Sequence, residues 1–124
     1  MNDKQLLELA AKAVGFGAEF GFTWTESEYP RDSGYYGALW NYRGHMDTAE
    51  LWNPLTDDGD ALRLAVKLGL SVRTIQTPIG SAISVGYPVN EIRMDYINEH
   101  VGIDSYFATR RAIVRAAAEI GRMK

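Results

Sequence analysis

Residues 53–87 read NPLTDDGDALRLAVKLGLSVRTIQTPIGSAISVGY, and the order of signals in this stretch predicts a helix followed at once by a hairpin. Asp57, Asp58 and Asp60 lead into an apolar period at Ala61, Leu62, Leu64, Ala65 and Leu68, and Gly69 marks the stop. Short carboxylates at the start of a helix cap backbone amides and oppose the positive end of its dipole. A cation site is the rival reading of three neighbouring acids, but the alternating Asp-x-Asp-x-Asp-Gly spacing of a calcium loop is missing. Beyond Gly69, Leu70–Thr77 and Ser81–Tyr87 read as strands joined by Thr77-Pro78-Ile79-Gly80, where Pro and Gly suit a type I turn. So short a link requires antiparallel pairing.

Working outward, Trp52 and Pro54 pin the chain where it enters this helix, and residues 44–56 read as an irregular connection with a helical turn at Asp47–Leu51. Before it, Glu19–Glu26 and Tyr35–Arg43 read as two aromatic-rich strands, with Phe20, Phe22 and Trp24 alternating toward the core. Pro30, Asp32, Ser33 and Gly34 between them supply turn chemistry for another hairpin. At the N-terminus Asn2 and Gln5 have capping-box spacing ahead of Leu6, Leu7, Leu9, Ala10, Ala13 and Val14, a helix ended by Gly15.

Downstream, residues 89–101 carry both a strand signal, Ile92, Met94 and Tyr96 in alternation, and a helix signal, a cap at Asn90 and a stop at Gly102; the strand is favoured. A last helix runs from Asp104 to Arg122, capped by Asp104 or Ser105 and burying Tyr106, Ile113, Val114, Ala117 and Ile120. The expected fold class is α+β: one domain over residues 1–124, with a mainly antiparallel sheet of four or five strands and three helices packed on it.

Composition narrows the function. At 124 residues, 46% apolar and 23% charged, the chain has the makings of one packed domain. Thirteen Lys and Arg against sixteen Asp and Glu give a net charge of -3, so no global positive field attracts a phosphate backbone and general DNA binding is not expected. Without cysteine there are no disulfides, thiolate zinc sites, iron–sulfur clusters or cysteine nucleophiles. No signal peptide or membrane span is legible, so a cytosolic protein is expected.

Two segments taken together, Trp52–Leu68 (WNPLTDDGDALRLAVKL) and Ala108–Arg122 (ATRRAIVRAAAEIGR), resemble the phage ABA sandwich domain family, small proteins of bacteriophages and prophages. The N-terminal LLELAAKAVGF at residues 6–16 fits that family's opening helix. The resemblance implies an alpha-beta-alpha sandwich and work in the host cytoplasm. The family's biochemical role is largely unassigned, so it supplies no catalytic residues. Residues 17–50 and 70–103 are longer and more aromatic than in short members, which places any specialised activity there.

The residues themselves offer little catalytic chemistry. His45 and His100 show neither HExxH nor HxH spacing, and no metal or cofactor is expected. Ser33, His45 and Asp47 supply triad residue types without a GxSxG elbow. Gly15, Gly17 and Gly21 miss the dinucleotide fingerprint and suit a helix-to-strand turn.

Nine of the fourteen aromatic residues, however, lie between Phe20 and Trp52. Tyr35, Tyr36, Trp40 and Tyr42, flanked by Arg31 and Arg43, make a candidate ligand pocket or protein interface, because tyrosine combines apolar area with a polar tip and guanidinium adds anion recognition. An aromatic core with solvated arginines is the competing reading. On the last helix Arg111, Arg115 and Arg122 fall near one face with Arg110 adjacent, and Arg110 and Arg111 lie in its first half, where the dipole disfavours cations; an anion or acidic partner there relieves them, which makes Arg110, Arg111 and Arg115 candidate anion contacts. The plainer reading pairs Arg115 with Glu119 at i,i+4.

These features suggest a phage-encoded, non-enzymatic accessory protein that masks a host defence or regulatory protein. The alternative is a sponge for a small anionic nucleotide-type signal, and an enzyme acting on such a signal is the weakest reading. A homodimer is expected, since so small a chain has little interior for fourteen aromatics and open sheets leave edge strands.

Overall fold

Capping chemistry sets the three helices of the computed structural model, which describes residues 1–15, 22–41 and 50–124. Helix α1 spans Asp3–Ala13; Asn2 accepts from the Gln5 amide and the Gln5 side chain accepts from the Asn2 amide, closing the expected capping box. Helix α2 spans Asp58–Leu68, capped by Asp57 through the Asp60 amide at 2.8 Å and ended by Gly69 in the left-handed region. Helix α3 spans Ser105–Arg122, with the Asp104 carboxylate accepting from the Tyr106 and Phe107 amides.

Six strands complete the described residues: β1 Thr23–Glu28, β2 Tyr36–Asn41, β3 Glu50–Trp52, β4 Ser71–Thr77, β5 Gly80–Pro88 and β6 Met94–His100. Residues 94–100 thus take the strand alternative, because their pairing with β5 outweighs the local cap signal at Asn90. Instead of one sheet of four or five strands there are two antiparallel sheets of three, ordered β1-β2-β3 and β4-β5-β6. Each is a meander of consecutive strands, and α2 intervenes in the chain between them. Alternation identifies strands but carries no information on whether two hairpins share a sheet. The helical turn expected at Asp47–Leu51 is also corrected: Leu51 lies in β3, paired with Trp40, while Asp47–Ala49 fall outside the described residues.

The buried apolar residues form a cluster drawn from all three helices and both sheets. Ile83, Val85 and Tyr87 of β5 belong to it, with α3 lying against β5 and β6. Helix α1 packs along α3 so closely that a Cβ on Gly121 would collide with the Leu9 carbonyl, and it also meets β2. From the first sheet come Leu39 and Trp52, with Phe22 just ahead of β1.

Two residues expected in the core are outside it. Leu62 is 64% exposed, because α2 turns Asp60, Ala61, Leu64 and Ala65 inward and position 62 falls off that face. Tyr106 is 70% exposed, since α3 buries Ala108, Arg110 and the residues beyond rather than its first turn. Phe20, Gly17 and Gly21 lie outside the described residues.

Candidate binding surface

The connection between β1 and β2 is built from its own side chains. Glu28 ends β1 with its carboxylate turned into the loop, where one oxygen accepts from the Asp32 amide and the other from the Gly34 amide, both at 3.0 Å. The Tyr29 amide donates to the Tyr35 carbonyl at 2.9 Å, the Ser33 amide to the Pro30 carbonyl at 3.1 Å, and the Tyr35 amide to the Ser33 hydroxyl at 3.1 Å. These bonds close a braced tip, in which Asp32 takes the positive φ of 61° that short polar side chains tolerate.

Arg31, Tyr35 and Tyr36 are exposed on or beside this tip, Tyr36 at 68%. Strand alternation places Tyr36 and Trp40 on one face of β2 with buried Ala38 between them, and Leu39 on the opposite, core face with Trp24 and Trp52 as its cross-strand partners. Trp40 is half-buried. The structure therefore brings Arg31, Tyr35 and Tyr36 to one hairpin end and gives Trp40 the same strand face as Tyr36. Tyr42 and Arg43 lie outside the described residues.

Below the tip is a polar junction not anticipated from the sequence. Asp60, only 4% exposed, accepts from the Asn53 amide at 3.0 Å and from the Arg63 guanidinium at 2.7 Å. Asn53 spends its own side chain on the Gly37 carbonyl at 2.7 Å and the Leu55 amide at 2.8 Å, while the Thr56 hydroxyl donates to the Tyr29 carbonyl at 2.9 Å. Tyr29 completes the junction: its burial, then the neighbouring Asp60 carboxylate, hold its phenol well above the ordinary tyrosine range. The start of α2 is thereby fastened to both ends of the hairpin loop. Asn-Pro followed by three acids was the visible signal, but Asp60 read as one cap among three.

The three acids in fact diverge, Asp57 to the helix cap, Asp58 to Arg110 and Asp60 inward. Among the described residues no group of three or more His, Asp or Glu is placed to hold a metal ion. His100 closes β6, and His45 and Asp47 lie outside the described residues.

The arginines of α3 are engaged within the chain. Arg110 is buried, its Nε donating to the Leu55 carbonyl at 2.8 Å and its Nη1 to Asp58 at 2.7 Å. Arg111 reaches Asp3 at 3.2 Å and Glu99 at 3.7 Å, and Arg115 reaches Glu99 at 2.6 Å. The acidic partners that the dipole argument asks for come from α1, α2 and β6. Glu119 pairs with Arg122 at 3.3 Å rather than with Arg115, because β6 brings Glu99 closer to Arg115 than its own helix brings Glu119.

No family model matches this chain, and neither the curated proteins nor the solved structures contain a significant match to it.

Proposed function

We propose that this protein works by binding rather than by catalysis, using the β1–β2 tip, with exposed Arg31, Tyr35 and Tyr36, to mask a partner protein. The observation that carries the reading is the pairing of exposed Arg31, Tyr35 and Tyr36 with a loop whose backbone is braced by Glu28. Tyr and Arg are favoured contact residues at interfaces, and a braced loop loses little freedom on binding. The resemblance of Trp52–Leu68 and Ala108–Arg122 to phage ABA sandwich proteins supplies the context: an accessory protein of a phage or prophage, with alpha-beta-alpha layering, acting on a defence or regulatory component in the host cytoplasm.

The test compares the unaltered protein with a variant carrying Arg31→Ala, Tyr35→Ala and Tyr36→Ala, recovered from host cells and examined by mass spectrometry and thermal melting. A protein partner is expected on the unaltered protein alone. Loss of one hot-spot contact costs about 2 kcal/mol or more, roughly thirtyfold in affinity. Melting should change little, since exposed substitutions stay within about 0.5 kcal/mol each. An unchanged nucleotide released on denaturation replaces masking by sequestration, and turnover of that nucleotide replaces both by catalysis. Equal recovery of the partner by the two proteins overturns the assignment of the surface.

A further inference from the structure

Among the described residues the two sheets present four edge strands, and three of them are protected against pairing. Strand β1 is bulged between Thr25 and Glu28 and carries Glu26 and Glu28; β3 has three residues; β6 carries Asp95 and Glu99, with Glu99 turned under the sheet to Arg115. Bulges, brevity and charges, inward-pointing ones included, are the usual protections of an edge.

Strand β4 has none of these. Its seven residues, SVRTIQT, pair with β5 in unbroken register from Ser71↔Gly86 to Thr77↔Gly80, and Pro78 lies beyond the strand in the turn. Its one charge, Arg73, is drawn away from the edge: the guanidinium carbon sits 5.9 Å from the ring centre of Tyr96 on β6, across the intervening strand. Gly86 makes room for this arrangement, since a Cβ there would come within 2.9 Å of the Tyr96 ring. Among the described residues no strand pairs with the outer side of β4.

The hairpin turn sets which backbone groups face outward. With a two-residue loop, Thr77 and Gly80 form a hydrogen-bonded pair, so residues 71, 73, 75 and 77 bond to β5 and the N–H and C=O groups of Val72, Thr74 and Gln76 point to the open side. That set is self-complementary. In an antiparallel match about a twofold axis at Thr74, Thr74 meets Thr74 of a second copy and Val72 meets Gln76, with all outward groups paired. Arg73 then lies opposite Ile75, so no like charges face each other directly, and opposed threonines are a favourable cross-strand pair.

We infer that β4 is the self-association edge of this protein, and that two copies join there to make one six-stranded antiparallel sheet. The partner is a second copy of the chain because the match requires only this strand's own phase and composition. The inference is independent of the hairpin reading, and either stands if the other fails.

Sedimentation at micromolar concentration tests it, with Thr74→Pro and Thr74→Lys as variants and Asn98→Lys on β6 as the control. The Thr74 amide does not bond to β5, so proline removes only the outward donor, while lysine places two charges at the axis. The unaltered protein and the control should sediment at twice the mass of the 124-residue chain. Either Thr74 variant should raise the dissociation constant by about a hundredfold. Because the chain has no cysteine, Thr74→Cys adds a single thiol that a short bis-maleimide should link between copies, whereas Asn98→Cys should not link. Should proline disturb the fold, the lysine variant and the thiol still read the edge. A monomer throughout, a dimer indifferent to both Thr74 variants, or linkage at position 98 in place of 74 overturns the inference.

Discussion

Replacing Asp60 by alanine tests whether the start of α2 holds the binding tip in place. In the folded protein this carboxylate accepts from the buried Asn53 amide and from Arg63, with the Tyr29 phenol close enough to feel its charge. Leaving the Asn53 amide buried without a partner costs about 1 to 3 kcal/mol. Arg63 adds little, about 0 to 1 kcal/mol, because its side chain is 71% exposed and screened by water. The expected loss for Asp60→Ala is therefore about 1 to 4 kcal/mol, a large part of a typical domain's roughly 5 to 15 kcal/mol. Asp60→Asn keeps an oxygen for the Asn53 amide and should fall between alanine and the unaltered protein, while Arg63→Ala should lose less than about 1 kcal/mol. Urea unfolding followed by circular dichroism reads all three. Should Asp60→Ala lie within 0.5 kcal/mol of the unaltered protein, on the scale of about 0.5 kcal/mol set by surface changes, the junction is not what holds these elements together.

Two further outcomes follow from burial and charge. Leu64→Ala should lower stability by about 2 to 5 kcal/mol, whereas Leu62→Ala, two positions along the same helix and 64% exposed, should change it by no more than about 0.5 kcal/mol in the same denaturation experiment. The raised Tyr29 phenol gives an alkaline limit: below pH about 10 the tyrosine is protonated whether folded or not, but above it the unfolded state releases the proton first, so stability falls as pH rises. Tyr29→Phe should remove part of that fall, leaving the share of Tyr87, whose burial raises its phenol in the same direction; urea midpoints measured from neutral pH upward show the difference in slope.

Much of this architecture was legible because the signals are local. Asn2 with Gln5, Asp57 before Ala61, Gly69 after Leu68 and Asp104 before Tyr106 each act within a few residues of chain, so helix ends could be read directly. The Thr77–Gly80 turn likewise set its own hairpin. Exposure of Arg31, Tyr35 and Tyr36 was less legible, since a tyrosine's composition suits a core and an interface equally and only the placement of the β2 faces separates the two.

The sequence by itself determined three capped helices, the hairpins and an α+β class, because capping and periodicity depend on neighbours along the chain. Tertiary structure alone decided that six strands divide into two sheets, that Asp60 turns inward to Asn53 and Tyr29, and that Arg110 and Arg115 are answered by Asp58 and Glu99. Those outcomes join residues as far as 52 positions apart, as in Arg110 with Asp58, and a charge or an edge strand takes its partner from whatever the fold brings beside it.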